Sequence, residues 1–176
     1  MKKNILLLFL LAANISAFAA FTLDAGDFSA KFKTVFELAR KRFATEKSGE
    51  KKTISEGVFV AAYDAKTSFN GADLTRIVVD ADGILGHHSR FNLGASKEEA
   101  KKVYLEMLKL VKANLPVKFI ARDTYESEYM DGIATVFEYD SEVFAQQAKQ
   151  PAGKLGVRIE NGNCYIHLLI NEPIFK

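Results

Sequence analysis

Three turn dipeptides, Asp82-Gly83, Asp131-Gly132 and Asn161-Gly162, constrain this chain more than any other feature, because each stands between strand-forming runs. Asp-Gly and Asn-Gly readily take the positive φ angles of a tight hairpin turn. Strands joined so tightly are antiparallel, since a parallel crossover needs a dozen or more residues. Arg76–Asp80 with Ile84–Phe91 is therefore predicted as one hairpin, and Leu155–Glu160 with Cys164–Asn171 as another. Gly57–Tyr63, Val117–Arg122 and Ile133–Tyr139 read as further strands.

Two segments carry helical periodicity instead. Phe28, Phe32, Val35, Phe36, Ala39 and Phe43 form one apolar stripe, predicting a helix over Phe28–Ala44. In the second, Ser96 with Glu99 makes a capping box, Ala100, Val103, Tyr104, Met107, Leu110 and Val111 make the stripe, and Leu115-Pro116 ends it. Ser48–Glu56 is charged and aperiodic and reads as a connecting loop; Ser141–Gln150 has room for a short helix before Pro151. The order is helix, three strands, helix, four strands. The fold class expected is α+β, a single antiparallel sheet of about six to seven strands with two long helices packed on one face.

The first residues read as an export signal. Lys2 and Lys3 precede an apolar run over Ile5–Ala13, and Ala17-Phe18-Ala19 offers the small residues a signal peptidase accepts. That run is shorter than the roughly 20 residues needed to span a bilayer. Cleavage after Ala19 leaves residues 20–176 as a single α+β domain, with no transmembrane span in the mature chain. Retention of the leader as a membrane anchor is the alternative. The destination is the periplasm or the exterior. Loss of Lys2 and Lys3 also brings Lys and Arg level with the 22 Asp and Glu. The pI of about 8.5 thus reflects the leader, and no nucleic-acid partner is expected. Cys164, the single cysteine, excludes an intramolecular disulfide and reads as a small buried hydrophobe.

Little in the chain spells chemistry. His87 and His88 are adjacent on a strand, so they point to opposite faces, and His167 meets one of them only if the sheet order allows it. Asp80-x-Asp82-Gly83 resembles the start of a calcium loop, but Ile84 and Phe91 stand where that loop needs oxygen ligands. Tyr125, Ser127 and Tyr129 are expected to share one strand face, with Glu126 and Glu128 on the other. The tyrosines then either offer a carbohydrate or peptide surface or pack across the sheet. The candidate binding residues are Tyr125, Tyr129, His87, His88 and Arg90; no catalytic residue, metal ligand or cofactor is expected.

Phe32-x-x-x-Phe36, Glu99-Ala100-x-x-x-Tyr104 and Leu155-x-Val157-x-Ile159 followed by Tyr165-x-x-Leu168, behind a cleavable leader, resemble small uncharacterised exported proteins of Gram-negative bacteria. The element order alone is similar to that of secretion-chaperone-like domains. Neither resemblance implies an activity. The reading that follows is an exported, non-catalytic binding protein of the cell envelope, its partner an envelope or extracellular protein or a small ligand. A free edge strand is one place for a partner strand to add. The alternatives are a carrier or sensor of a small apolar or sugar-like ligand, and a hydrolase using dispersed His and acidic residues.

Overall fold

The computed structural model describes residues 21–174, so the leader and its cleavage site lie outside the described residues. Helix α1 (Ala25–Arg40) is followed by β1 (Lys47–Glu56), β2 (Phe59–Ala65), β3 (Leu74–Asp80) and β4 (Leu85–Asn92). Helix α2 (Lys97–Asn114) then leads to β5 (Phe119–Tyr125), a 3-10 turn at Met130–Gly132, β6 (Ile133–Tyr139), the short α3 (Glu142–Gln147), β7 (Gly153–Glu160) and β8 (Asn163–Asn171). The strands form one antiparallel sheet in the order β1-β2-β3-β4-β8-β7-β6-β5. Among the described residues no helix is long and apolar enough to cross a membrane.

The α+β class and the single antiparallel sheet are as the sequence predicts, but among the described residues the sheet has eight strands and there are three helices, rather than six to seven strands with two long helices. The extra strand is β1, within the segment expected to be a loop. It is an edge strand, exposed along most of its length, and therefore has no apolar face to betray it. Gly49 at φ 67° and two register shifts against β2 bend it, and Lys47, Lys51 and Lys52 charge its edge.

The order of elements is two copies of one unit, a helix followed by four strands, meeting where β4 pairs with β8. The helices match in detail. Asp24 caps α1 through the Asp27 amide, and Ser96 caps α2 through the Glu99 amide. Buried Phe28, Val35, Phe36 and Ala39 recur at constant spacing as Ala100, Met107, Leu108 and Val111. Helix α1 ends at Arg40, short of the predicted Ala44, because Arg42 (φ 54°) and Phe43 (φ 50°) turn left-handed while Phe43 stays fully buried. Glu172, itself buried, fastens this turn: its carboxylate accepts from Arg42 Nε (2.7 Å) and from the Leu85 amide (2.9 Å).

Both long helices pack on the same side of the sheet, and the core between them is aromatic. Phe32, with no exposed surface, contacts Phe28, Phe36 and Phe137. Cys164 is buried among these apolar residues. Phe32→Ala is expected to cost about 3–5 kcal/mol in a urea titration. Val117→Ala, at a side chain 98% exposed, is expected to stay within about 0.5 kcal/mol of wild type in that titration.

Candidate binding site on the helix-free face

Alternation along the strands sends one set of side chains to the helices and the other set to the opposite face. On β4 this separates the two adjacent histidines. His87 enters the core, where Nε2 meets the Thr67 carbonyl (2.9 Å) between Phe43 and Phe69. His88 and Arg90 point the other way, with Arg76 beside them on β3. The β4–β8 register sets Arg90 opposite His167 and His88 opposite Leu169. His88 and His167 are thus diagonal neighbours on one face, within reach of each other.

These residues floor a basin of about 770 Å³. The hairpin between β1 and β2 walls one side with Glu56 and Phe59, and Lys154, Arg158 and Glu160 of β7 form the other. Tyr129 leans in from the β5–β6 connection and lies against Gly156, where any Cβ would collide with its ring. The ring also carries the Arg158 guanidinium at 4.7 Å from its centroid.

One chain of hydrogen bonds orders the floor. Arg76 donates from Nη1 to Glu56 Oε1 (2.9 Å) and from Nε towards His88 Nδ1 (3.4 Å). A guanidinium only donates, so His88 Nδ1 is the acceptor and its proton sits on Nε2. That proton points at His167 Nδ1, 3.0 Å away, in a near-parallel ring. His167 in turn carries its proton on Nε2, which faces the basin. There it lies 3.2 Å from Glu160 Oε1 but is not aligned to hydrogen-bond to it; distance alone makes no bond. His167 Nε2 and Arg158 Nε are both buried polar atoms without a hydrogen-bond partner.

Every cation around the basin otherwise has a carboxylate. Arg76 pairs with Glu56, Arg158 with Glu128, Arg90 with Asp73 (2.7 Å) and Lys154 with Glu126 (2.7 Å). Arg76 in turn holds the Glu56 carboxyl below its usual range. Burial, followed by the fields of Arg158 and Arg90, pushes the His167 imidazole down to about 4. Burial, then His167 and Arg76, puts His88 well below its ordinary value. Both rings are neutral at pH 7.

Of the five residues singled out from sequence, His88, Arg90 and Tyr129 line this basin. His87 is a core residue, and Tyr125 lies at the end of edge strand β5, 79% exposed. The expectation that Tyr125, Ser127 and Tyr129 share a strand face is overturned. β5 stops at Tyr125, and Asp131 (φ 58°) and Gly132 (φ 68°) fold the next residues back, with the Glu126 amide donating to the Gly132 carbonyl (2.9 Å). His167, expected to meet a β4 histidine only if the sheet order allowed, does meet His88, whereas Arg76, Lys154 and Arg158 are not among the residues the sequence singles out. Their signal was the polar half of an alternating strand, as in Lys154-x-Gly156-x-Arg158-x-Glu160. Asp80 is a turn residue, accepting from the amides of Asp82 (2.9 Å) and Ile84 (2.8 Å). Among the described residues no group of three or more His, Cys, Asp or Glu is placed to hold a metal ion.

A second cavity, a groove of about 580 Å³, lies at the end of α1 beside β5 and α3. Rings line it in sequence: Phe36 against Phe119 (5.2 Å), Phe119 against Tyr139 (4.5 Å), and Tyr139 against Phe144 (6.0 Å). Charged residues share its wall with these rings, among them Glu37, Arg40, Lys118 and Asp140. Compared with protein-family models, with curated proteins and with solved structures, the chain matches none.

The basin makes stability pH-dependent. Folded, His167 stays unprotonated down to about pH 4, while the unfolded chain takes that proton near 6.5. Between those values the unfolded state binds more protons, so this contribution is complete above 6.5 and is lost as pH falls to 4. The facing groups are Arg76, Arg90 and Arg158 with Asp73 and Glu160. His167→Gln is expected to flatten urea-unfolding stability between pH 6.5 and 4, removing up to about 3 kcal/mol of the decline.

Proposed function

We propose that this chain is an exported, non-catalytic binding protein of the cell envelope that holds a small polar ligand in the basin on the helix-free face. The observation that carries this reading is the pair of buried, partnerless donors, His167 Nε2 and Arg158 Nε, in a basin whose other cations are paired. Buried donors without acceptors cost about 1–3 kcal/mol each, a cost that a ligand's acceptors would remove. A binding role fits the histidines better than a catalytic one. Their protons are oriented by Arg76, and His167 titrates near 4, far from the values that suit acid–base exchange at neutral pH. A strand-adding partner is less well served, because edge strand β1 is bent and lysine-rich.

The aromatic groove supports a second reading, carriage of a small apolar ligand. Amide NMR of the full-length protein separates the two. Alanyl-alanine or N-acetylglucosamine is expected to shift Gly156, Arg158 and His167. Decanol shifting Phe119 and Tyr139, with no response to the polar compounds, would transfer the function to the groove. Export is tested separately: N-terminal sequencing of protein recovered from the host envelope is expected to begin at Ala20.

A further inference from the structure

We propose that the floor of the basin is a carboxylate-binding site, in which His167 Nε2–H and Arg158 Nε–H hold the two oxygens of one ligand carboxylate. The proposal rests on the basin being the ligand site and names the chemical group that the site takes. Three observations on the same few residues carry it.

The first is the count and kind of open positions. His167 is 9% exposed and its Nε2 has no partner; Arg158 Nε is buried and has none either. The two residues sit on neighbouring strands, with Arg158 opposite Tyr165 and His167 opposite Gly156, so they are diagonal across the β7–β8 ladder. Both open atoms carry hydrogen. Arg158 does so because it is a guanidinium, His167 because the bonds from Arg76 through His88 leave its proton nowhere else. Two adjacent donors match a group with two acceptor oxygens.

The second is charge. Four cations line the basin, Arg76, Arg90, Lys154 and Arg158, against the carboxylates Glu56, Glu128 and Glu160. Asp73 and Glu126 pair with Arg90 and Lys154 from just outside this lining, so no positive charge is in surplus, and a ligand charge fits only in exchange for that of Glu160, which favours a monoanion over a dianion such as phosphate.

The third is Glu160. Its carboxylate already lies at this spot, with one oxygen 3.2 Å from His167 Nε2 and the other 3.8 Å from Arg90 Nη1, bonded well to neither. It is 37% exposed and free to swing outward. The chain's own carboxylate is drawn to the donors without satisfying them, and a ligand carboxylate takes its place.

The test compares butyrate with butyramide, which has the same shape and no charge, by following the Arg158 Nε–H and His167 ring resonances of the full-length protein. Butyrate is expected to move both, and butyramide neither. Glu160→Gln is expected to tighten butyrate binding, since the competing charge is gone. Arg158→Lys, which keeps the charge and loses the Nε donor, is expected to weaken it about tenfold. Butyramide binding as well as butyrate, inorganic phosphate moving these resonances more than butyrate, or Glu160→Gln weakening the complex would each overturn the carboxylate assignment while leaving the basin a binding site. If no butyrate, butyramide, phosphate, dipeptide or sugar probe moves any basin resonance, the binding reading itself falls.

Discussion

β4 and β8 meet in the middle of the sheet through seven paired positions, from Gly86 with Asn171 to Asn92 with Tyr165. Across this ladder the two halves of the chain become one sheet. Both helices reinforce it from one side, α1 touching β4 and β8 and α2 touching β7 and β8. The core side of the pairing is mainly apolar, with Phe91, Ile166, Leu168 and Ile170 fully buried beside His87 and Ser89. The other side holds His88, Arg90 and His167. One register therefore sets two unlike layers, and slipping it by one residue would exchange them, placing histidine and arginine under the helices.

The cost of the polar layer explains its form. Buried His and Arg side chains destabilise a fold unless they find hydrogen bonds, and a half-satisfied network is worse than an apolar one. Here each arginine has a carboxylate, and the two imidazoles, neutral through burial, share one hydrogen bond, while His167 Nε2 and Arg158 Nε stay unmet. Neutrality is a condition of the arrangement. A second proton on either ring would face a neighbouring ring and three guanidinium groups in a setting that screens poorly.

How much of this could be read from sequence follows from where the signals lie. The Asn161-Gly162 turn was legible because its φ angles, 50° and 81°, suit few other residue pairs. The α2 start was legible because Ser96 supplies the missing acceptor. The opposite facing of His87 and His88 needed nothing beyond the period of a strand. The edge strand β1 was not legible, because it buries nothing and its pairing is a property of β2. Tyr129 was misplaced because a strand was extended through residues whose backbone turns back at Asp131. The basin itself was beyond reach: Arg76, His88, Arg158 and His167 come together only once β4 lies beside β8, and local periodicity carries no information about that pairing. Even the repetition of the halves was faint, since the helices repeat a pattern of burial while the residues filling it differ, Phe28 against Ala100 and Val35 against Met107.

The seam also explains why the open donors fall where they do. Each half contributes one strand to it, and His88 on β4 and His167 on β8 meet diagonally across the pairing. The surroundings of the pair are unequal. His88 has Arg76 and Glu56 behind it, so its outer nitrogen is satisfied and its ring is enclosed. On β7 the residue opposite His167 is Gly156, which has no side chain to meet the ring and admits Tyr129 instead. The tyrosine occupies the face of Arg158, and the outer nitrogen of His167, though buried, is left without a hydrogen-bond partner. A donor relay that begins at Arg76, in one half, thus ends as a buried, unmet donor in the other. Two neutral imidazoles sharing one hydrogen bond always leave an acceptor at one end and a donor at the other; Arg76 meets the acceptor of His88, and the glycine opposite His167 offers nothing to its donor.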